Sequence, residues 1–191
     1  MLSRRCLDYT FIESAVESYF TVIMVKHKVV QVTDSKIIPF TSSTQGRALQ
    51  KVECTIKALP CVLMTSHLES MKTNSDERKH QMKRALHHVI REMKGLPKGV
   101  LDLWIETGRN KDTQFTWDTS INTNLKFAEN QDFKPKIRFD RIYMRHPKTE
   151  PVISPVSFQL IGQEKIPTCD CFPSDHWGIL VHFDINKSNT K

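Results

Sequence analysis

The pattern of apolar and polar positions predicts β-strands in the first third of the chain. Residues 19–32 are rich in β-branched side chains and predict a strand with a turn around residues 26–28. Residues 47–57 alternate loosely and predict a second strand. The apolar run at residues 58–66 ends in polar side chains, which predicts a buried strand that delivers His67 to a sheet edge.

One later segment has the spacing of an amphipathic helix. Asn74 is predicted to cap this helix with Glu77 as its partner, and Gly95 followed by Pro97 to end it. Its apolar side chains recur at three- and four-residue intervals, as one helix face requires, and they are Met82, Ala85, Leu86, Val89, Ile90 and Met93.

The second half of the chain alternates in strand fashion again. Many strands with one strong helix favour a single α+β or α/β layered domain over residues 1–185, followed by a disordered tail at 186–191. The strand-like stretches are residues 136–144, 156–162 and 177–185.

Charge and cysteine content narrow the classes of partner. The net charge of +7 favours a polyanion such as nucleic acid, and the mean hydropathy of -0.41, with no long apolar stretch, argues against a membrane partner. The first residues lack the apolar core of a secretory signal, so we expect an intracellular protein. The odd count of 5 cysteines predicts free thiols, and the Cys169–Cys171 spacing makes a poor zinc site.

Four polar clusters follow or interrupt the predicted strands, where sheet proteins place their functional side chains. Each has an ordinary alternative. His67 is also compatible with a hydrogen-bonded histidine at a strand end, Trp117 with a core residue, and Asp140 with a surface ion pair to Arg138 or Arg141. The clusters are residues 65–70 (TSHLES), 115–119 (FTWDT), 138–143 (RFDRIY) and 174–177 (SDHW).

Taken together, the clusters suit phosphodiester chemistry. Histidines donate hydrogen bonds to phosphate oxygens as negative charge builds up. A carboxylate such as Asp140 behind His176 fixes the ring tautomer, and Asp175 is an oxygen ligand of the kind hard cations prefer. Trp117 and Phe139 offer flat surfaces on which bases stack, worth about 1–3 kcal/mol per base.

The same motifs, in this order and together with PSDHWG at residues 173–178, resemble the endonuclease/exonuclease/phosphatase superfamily, and within it the 5′-tyrosyl-DNA phosphodiesterase branch in a nematode-like form. The resemblance implies an α/β fold, a two-layer β-sandwich flanked by helices. It implies a Mg²⁺-dependent hydrolase, with Mn²⁺ as a substitute, in double-strand break repair. The bond cut would join a topoisomerase tyrosine to a DNA 5′-phosphate. A monomeric protein of the nucleus, and also of the cytoplasm, is expected.

The resemblance also assigns roles to individual residues. His67 and His176 would contact the scissile phosphate, Asp140 would orient His176, and Asp175 would lie on the metal side. Lys72 stands where the vertebrate relatives carry an arginine, so it keeps the charge and loses the bidentate fork. The residues expected to contact DNA are Tyr19, His67, Leu68, Glu69, Ser70, Lys72, Trp117, Phe139 and His176.

Two motifs of the family have no counterpart in this sequence. One is a metal-binding glutamate that would precede the matched region, so we expect a chain truncated at the N-terminus. The other is Gly-Asp-x-Asn, which supplies the water-activating aspartate and is absent from all 191 residues. We therefore expect little or no catalysis from this chain. The alternatives are a non-catalytic module that binds DNA ends or protein, and another phosphodiesterase or nuclease branch of the superfamily.

Overall fold

A computed structural model describes residues 6–15, 19–57, 59–87, 99–125, 133–145 and 153–185. The chain divides into two compact units, Met1–Met93 and Lys94–Lys191, and each has buried apolar residues of its own. The expectation of one domain over residues 1–185 stays a prediction. The expected disordered tail and the end of the predicted helix, including Val89, Ile90 and Met93, lie outside the described residues.

Antiparallel strands form most of the first unit. Strand β1 (Tyr9–Glu13) pairs with β2 (Val22–Lys26). A three-stranded sheet in the order β3-β4-β5 consists of β3 (Val30–Pro39), β4 (Ala48–Ile56) and β5 (Leu59–Thr65). The predicted strands and the turn between β2 and β3 are confirmed, whereas β1 was not predicted. The expectation that the strand before His67 is buried is wrong, because β5 is at most half-buried along its length.

The central strand β4 carries the core of this unit. Gln50, Val52 and Cys54 are buried at every second position, as one face of a strand requires. Gln50 is the polar member of this row, and its amide Nε2 donates to the carbonyl of Ile12 at 2.6 Å while its Oε1 accepts from the Thr21 hydroxyl at 3.3 Å. These hydrogen bonds join the β1–β2 hairpin to the sheet and offset the cost of burying an amide.

Helix α1 (Ser75–His87) begins after a 3₁₀ turn at Lys72–Asn74. The predicted pairing of Asn74 with Glu77 is wrong. The amide of Asn74 instead donates to the carbonyl of Ser70, and the carboxylate of Glu77 accepts from Ser42 and Gln81. The 3₁₀ turn explains the difference, because it already brings Asn74 into the helical backbone, where its side chain reaches back by four residues.

The described part of the second unit contains three antiparallel strand pairs, a short α-helix and a 3₁₀ turn at Lys111–Thr113. Strand β6 (Val100–Asp102) pairs with β9 (Tyr143–Arg145), and β7 (Trp117–Asp118) pairs with β8 (Lys136–Ile137). Strand β10 (Ile153–Ile161) pairs with β11 (Gly178–Ile185), and helix α2 (Leu103–Glu106) directly follows β6. None of the helices in the described ranges is long and apolar enough to cross a membrane.

The predicted strand at residues 136–144 is interrupted. Only its two ends belong to strands, and residues 138–142 leave the ladder. The alternating letters of this stretch predicted a strand, but its side chains and N–H groups are bound elsewhere in the unit, as the site geometry below explains.

The cysteines differ in part from the expectation of free thiols. Cys169 and Cys171 form a disulfide across a tight turn, in which Asp170 has a φ of 48°. The turn is needed because it brings the Cα atoms of the two cysteines to 5.3 Å, within the range that a disulfide spans. Cys6, Cys54 and Cys61 are free.

Candidate functional site

In the second unit, the loop that carries His176 is fixed from both sides. Trp177 is buried and packs edge-on against Phe172, with 5.0 Å between the ring centroids. Asn124 clamps Phe172 by accepting from its N–H at 2.9 Å and donating to its carbonyl at 2.8 Å. The amide of Asn122 donates to the carbonyl of Ser174 at 2.9 Å. His176, which lies two residues before β11, is therefore part of a loop with little conformational freedom.

His176 contacts a carboxylate from a distant part of the sequence. Its Nδ1 lies 2.7 Å from Oδ2 of Asp140, and its Nε2 lies 3.9 Å from Oδ2 of Asp175. A carboxylate only accepts, so Nδ1 carries the proton, and in the neutral ring Nε2 is the acceptor. The contact with Asp140 fixes this tautomer. The predicted pairing of Asp140 with His176 is therefore present.

The alternative pairing of Asp140 with its neighbouring arginines is not what the structure has. Arg138 and Arg141 each place Nη1 at 3.2 Å from an oxygen of Asp102, whose side chain is only 3% exposed. Asp102 also accepts from the N–H of Trp104, and the guanidinium of Arg138 lies over the Trp104 ring at 4.2 Å. The buried carboxylate thus anchors both ends of the segment that presents Asp140.

Sequence reasoning missed Asp102 as part of this arrangement. The available signal was weak: an aspartate at a strand end, and two arginines three positions apart that flank the predicted site residues. A buried acid binding two arginines is a common way to compensate a charge inside a protein, but one sequence does not say which acid and which arginines meet.

Aromatic rings extend from His176. The Phe139 ring is stacked on the imidazole with 5.7 Å between centroids and an interplanar angle of 24°. The Trp117 ring is tilted against the Phe139 ring, with 5.5 Å between their centroids. Trp117 is half-buried, whereas Phe139 is 54% exposed. Phe139 therefore lies beside the histidine and Trp117 lies beside Phe139, and Phe139 presents the more exposed surface for a base.

In the first unit, His67 follows β5 in an exposed position, as predicted. Its Nδ1–H donates to the carbonyl of the next residue, Leu68, at 2.9 Å, so Nε2 is the acceptor in the neutral ring. The ring of Tyr19 meets the imidazole edge-on, with 5.4 Å between centroids. Tyr19 and His67, which are far apart in the sequence, are therefore neighbours in this unit.

A buried arginine completes this cluster. The guanidinium of Arg47 lies 4.5 Å from the Tyr19 ring centroid, and its Nη2 donates to Ser70 at 3.2 Å and to Gln45 at 2.9 Å. Its Nε is buried and has no hydrogen-bond partner among the described residues. Sequence reasoning missed this residue, because it lies at the start of an alternating strand. It brings a positive charge beside the predicted DNA-contacting residues Tyr19 and Ser70.

The side chain of Glu69 points into the protein. It is 1% exposed and accepts from Ser43 at 2.6 Å, from Thr44 at 2.7 Å and from Gln81 at 3.1 Å. Burial raises the pKa of this carboxyl, but the hydrogen bonds outweigh burial and lower the pKa to about 2. The protein itself occupies this carboxylate and also the backbone N–H of Glu69, which donates to Gln81 at 2.8 Å. The expected contact of Glu69 with DNA stays a prediction.

The remaining predicted residues of this loop differ in exposure. Leu68 and Ser70 are half-buried, and Lys72 is exposed at the start of the 3₁₀ turn. Arg78 from helix α1 donates to the carbonyls of Glu69 and Met71, which holds the loop against the helix. The side chain of Lys72 is thus available to an anionic partner.

The described residues do not make a metal site. No group of three or more His, Cys, Asp or Glu side chains in the described ranges could hold a metal ion. Asp175, the predicted ligand, is half-exposed and lies near His176 rather than near a set of further oxygen ligands. Because Mg²⁺ takes several oxygen ligands in an octahedral arrangement, the residues present do not fit it.

The site residues thus form two groups. The first unit brings together Tyr19, Arg47, His67 and Ser70, and the second brings together Trp117, Phe139, Asp140, Asp175 and His176. The expectation that His67 and His176 contact one phosphate stays a prediction.

Solved structures resemble the chain over nearly its whole length. A Danio rerio tyrosyl-DNA phosphodiesterase 2 complexed with a single-strand DNA product is 34% identical and has a TM-score of 0.89, over 96% of this chain and 80% of that one. A truncated Caenorhabditis elegans tyrosyl-DNA phosphodiesterase 2 is 30% identical with a TM-score of 0.81, over 95% of this chain and 77% of that one. These likenesses confirm the expected α/β sandwich class.

Curated relatives agree with this result. The Gallus gallus tyrosyl-DNA phosphodiesterase 2 is 36% identical over 206 residues, which cover 97% of this chain and 54% of the relative. The Homo sapiens protein is 36% identical over 205 residues, with 96% and 55% covered. The chain spans about half the length of these relatives. The alignments are also longer than the 191 residues of the chain, so the relatives contain residues without a counterpart here.

No protein-family model matches the chain. The relatives and the solved structures nevertheless agree on one group of proteins, which are metal-dependent phosphodiesterases. With 34% identity over 80% of a solved member, the chain belongs to the tyrosyl-DNA phosphodiesterase 2 family.

Proposed function

We propose that this protein binds DNA 5′ ends that carry a tyrosine or a topoisomerase peptide, in the repair of double-strand breaks. The observation that carries the proposal is the Asp140–His176 contact of 2.7 Å with the Phe139 ring stacked on the imidazole. A held histidine beside an exposed aromatic ring suits a phosphate followed by a base. The net charge of +7 supports a polyanionic partner.

The chemistry assigned to the two histidines follows from their hydrogen bonds. Asp140 binds Nδ1–H of His176, so Nε2 is the ring nitrogen left for a phosphate, and it would donate to a phosphate oxygen in the doubly protonated ring. His67 donates from Nδ1 to the Leu68 carbonyl and also offers Nε2. Arg47 and Lys72 supply positive charge in the first unit. Such charges stabilise the negative charge that develops on a phosphate during its reaction.

We also propose that this 191-residue chain turns over substrate slowly or not at all. Mg²⁺, with Mn²⁺ as a substitute, would polarise the phosphate and activate water in the family's reaction. The chain has no Gly-Asp-x-Asn motif, and the described residues do not fit the ion. The residues present bind and orient a phosphate rather than activate a water molecule.

A binding titration tests the first proposal. A fluorescent oligonucleotide with a 5′-phosphotyrosine is titrated at several salt concentrations, beside the same oligonucleotide with a 5′-hydroxyl. We expect tighter binding of the phosphotyrosyl end and an affinity that falls with salt, with a slope of about −0.7 per phosphate contacted on a single strand. His176→Ala is expected to remove the preference for the phosphotyrosyl end. Equal affinity for both oligonucleotides would contradict the proposal.

A turnover assay tests the second proposal and separates the alternatives. The chain is incubated with the 5′-phosphotyrosyl oligonucleotide and Mg²⁺ or Mn²⁺, with and without EDTA. Robust, EDTA-sensitive release of tyrosine would show a working enzyme. Binding without release supports a non-catalytic DNA-end module. Release from an inositol phosphate or a poly(A) substrate instead would point to another branch of the superfamily.

The remaining expectations concern the cell and the assembly. We propose a monomeric protein of the nucleus, where the expected DNA adducts occur. We propose that it is also found in the cytoplasm, where the protein is newly made. Sedimentation at several protein concentrations tests the monomer, and microscopy of the tagged chain tests its location. Whether the chain is a nematode form stays a prediction.

A further inference from the structure

The buried residue Thr116 connects the two sides of the Asp140–His176 contact. Its Oγ1 accepts the backbone N–H of Phe139 at 3.1 Å and that of Asp140 at 3.0 Å. Its carbonyl accepts the N–H of Trp177, the residue after His176, at 2.7 Å. Thr116 is 0% exposed. Thr116 therefore holds the segment of Asp140 through its hydroxyl and the segment of His176 through its carbonyl.

The hydroxyl has a specific task in this arrangement. Residues 138–142 lie outside the strand ladder, so the N–H groups of Phe139 and Asp140 cannot use a neighbouring strand. Partly buried N–H groups gain from an acceptor inside the protein, and a hydroxyl oxygen has two lone pairs. Thr116 offers both lone pairs to the N–H groups of consecutive residues and so holds Phe139 and Asp140 outside the ladder.

Other contacts hold the ends of the same segments but do not join them. Asp102 binds Arg138 and Arg141, which flank Asp140, and Asn122 binds the carbonyl of Ser174 in the His176 loop. Each of these contacts reaches one partner of the pair. Thr116 reaches both, so it determines how far apart the carboxylate and the imidazole lie.

We propose that Thr116 is a positioning residue that fixes the hydrogen bond between Asp140 and His176. The inference rests on the proposed function for its purpose, since a phosphate-contacting histidine has to be held within about 0.5 Å of its working geometry. Its geometry does not depend on that function, because the contact exists within the second unit without DNA or metal.

The test uses two substitutions at Thr116 and a matched control. Thr116→Val keeps the shape and removes the acceptor, whereas Thr116→Ser keeps the acceptor. Thr113→Val also removes a buried hydroxyl from the second unit, one that donates to the carbonyl of Asn110 instead. The readout is the low-field NMR signal of the His176 Nδ1 proton, assigned by its loss in His176→Gln.

We expect the Nδ1 proton signal in the wild-type chain, in Thr116→Ser and in Thr113→Val, and its loss in a folded Thr116→Val. An unchanged signal in folded Thr116→Val overturns the proposal, and so does its loss in Thr113→Val. A structural role alone would lower the stability of both valine variants without this difference between them.

A measurement on the wild-type chain keeps the proposal open to refutation if Thr116→Val does not fold. The amide hydrogens of Phe139 and Asp140 should exchange with deuterium at least about tenfold more slowly than those of unstructured peptides, although they lie outside the strands. Fast exchange at both amides overturns the proposal. These readouts need no substrate, so a chain that fails to bind the 5′-phosphotyrosyl oligonucleotide but gives the expected signals refutes the proposed function alone.

Discussion

The two histidine regions of the molecule use acidic residues in opposite ways. Near His67, the acid two positions away is Glu69, which is buried and accepts only from neutral donors. Near His176, the acid that touches the imidazole is Asp140, which is 36 positions away and partly exposed. The acid next to His176 in the sequence, Asp175, lies farther from the ring. Closeness in sequence therefore does not identify a histidine's partner.

The charges that support the two regions also differ. The first region contains a buried arginine, Arg47, which is bound by an aromatic ring and neutral acceptors. The second contains a buried carboxylate, Asp102, which is bound by two arginines. The first arrangement leaves a positive charge beside its histidine, whereas the second places carboxylates around its histidine. We therefore expect the two regions to respond differently when a charge is removed.

The largest effect is expected from Asp102→Asn. This change keeps an acceptor for the Trp104 N–H but leaves the guanidinium of Arg138, which is largely buried, without its counter-charge. Breaking a buried ion pair in this way costs about 3–5 kcal/mol of unfolding free energy. Urea unfolding followed by tryptophan fluorescence measures it, because all 3 tryptophans lie in the second unit.

The control for this prediction is Asp170→Asn. Asp170 pairs with Lys165 at 3.0 Å on the surface, and asparagine tolerates its positive φ. We expect a change within about 1 kcal/mol. If Asp102→Asn costs no more than this control, the buried carboxylate is not the anchor of the segment that carries Asp140.

A smaller effect is expected from Arg47→Met in the first unit. The change removes two charge-assisted hydrogen bonds and the contact with the Tyr19 ring, but it also removes the buried Nε that lacks a partner. The losses exceed the gain only modestly, so we expect a cost of about 1–2 kcal/mol. Hydrogen exchange of the β4 amides reports on this unit.

Arg47→Lys serves as the matched variant. It keeps the charge near Tyr19 but loses the planar fork that reaches Gln45 and Ser70 together. We expect a stability between the wild type and Arg47→Met. A more stable Arg47→Met would mean that the guanidinium is retained for a ligand and not for the fold.

The same two regions show what the sequence could and could not predict. The alternation of residues 47–57 and the apolar run before His67 predicted β4 and β5; local pattern and burial agree in β4, whereas β5 is a strand without buried residues. The stretch at 136–144 also alternates, but the ion pairs of Arg138 and Arg141 and the acceptor on Thr116 hold its middle outside the ladder. Such long-range contacts leave no local pattern. Arg47 was missed for the same reason.

The resemblance to a family named the site residues, whose roles stay predictions, and the structure added their neighbours. The expected contact of Asp140 with His176 is present, whereas the meeting of Tyr19 with His67 was not expected. Glu69 was assigned to DNA with its neighbours, and its burial was not foreseen because the donors that surround it come from a loop and a helix.

A pH-dependent effect is expected from Glu69. Because its folded pKa of about 2 lies below its ordinary value of 4.5, its contribution to stability is present above pH 4.5 and is lost as the pH falls toward 2. Asp76 and Asp118, whose pKa values are also lowered, contribute in the same direction. The difference between wild type and Glu69→Gln in acid unfolding isolates Glu69. Parallel curves for the two proteins would contradict the assignment.

The smallest effect on stability is expected from Asp140→Asn, which compares the two histidines directly. Both side chains of the Asp140–His176 pair are partly exposed, so the unfolding free energy should change by less than about 1 kcal/mol. The tautomers should respond unequally. ¹⁵N NMR of the imidazoles should show His176 change from a pure Nδ1–H form to a mixture, because an asparagine amide can donate as well as accept. His67 should remain Nδ1–H, since its partner is the backbone carbonyl of Leu68, which the substitution leaves in place. A His176 spectrum unchanged by Asp140→Asn would mean that the loop from Phe172 to Trp177, rather than the carboxylate, holds the ring.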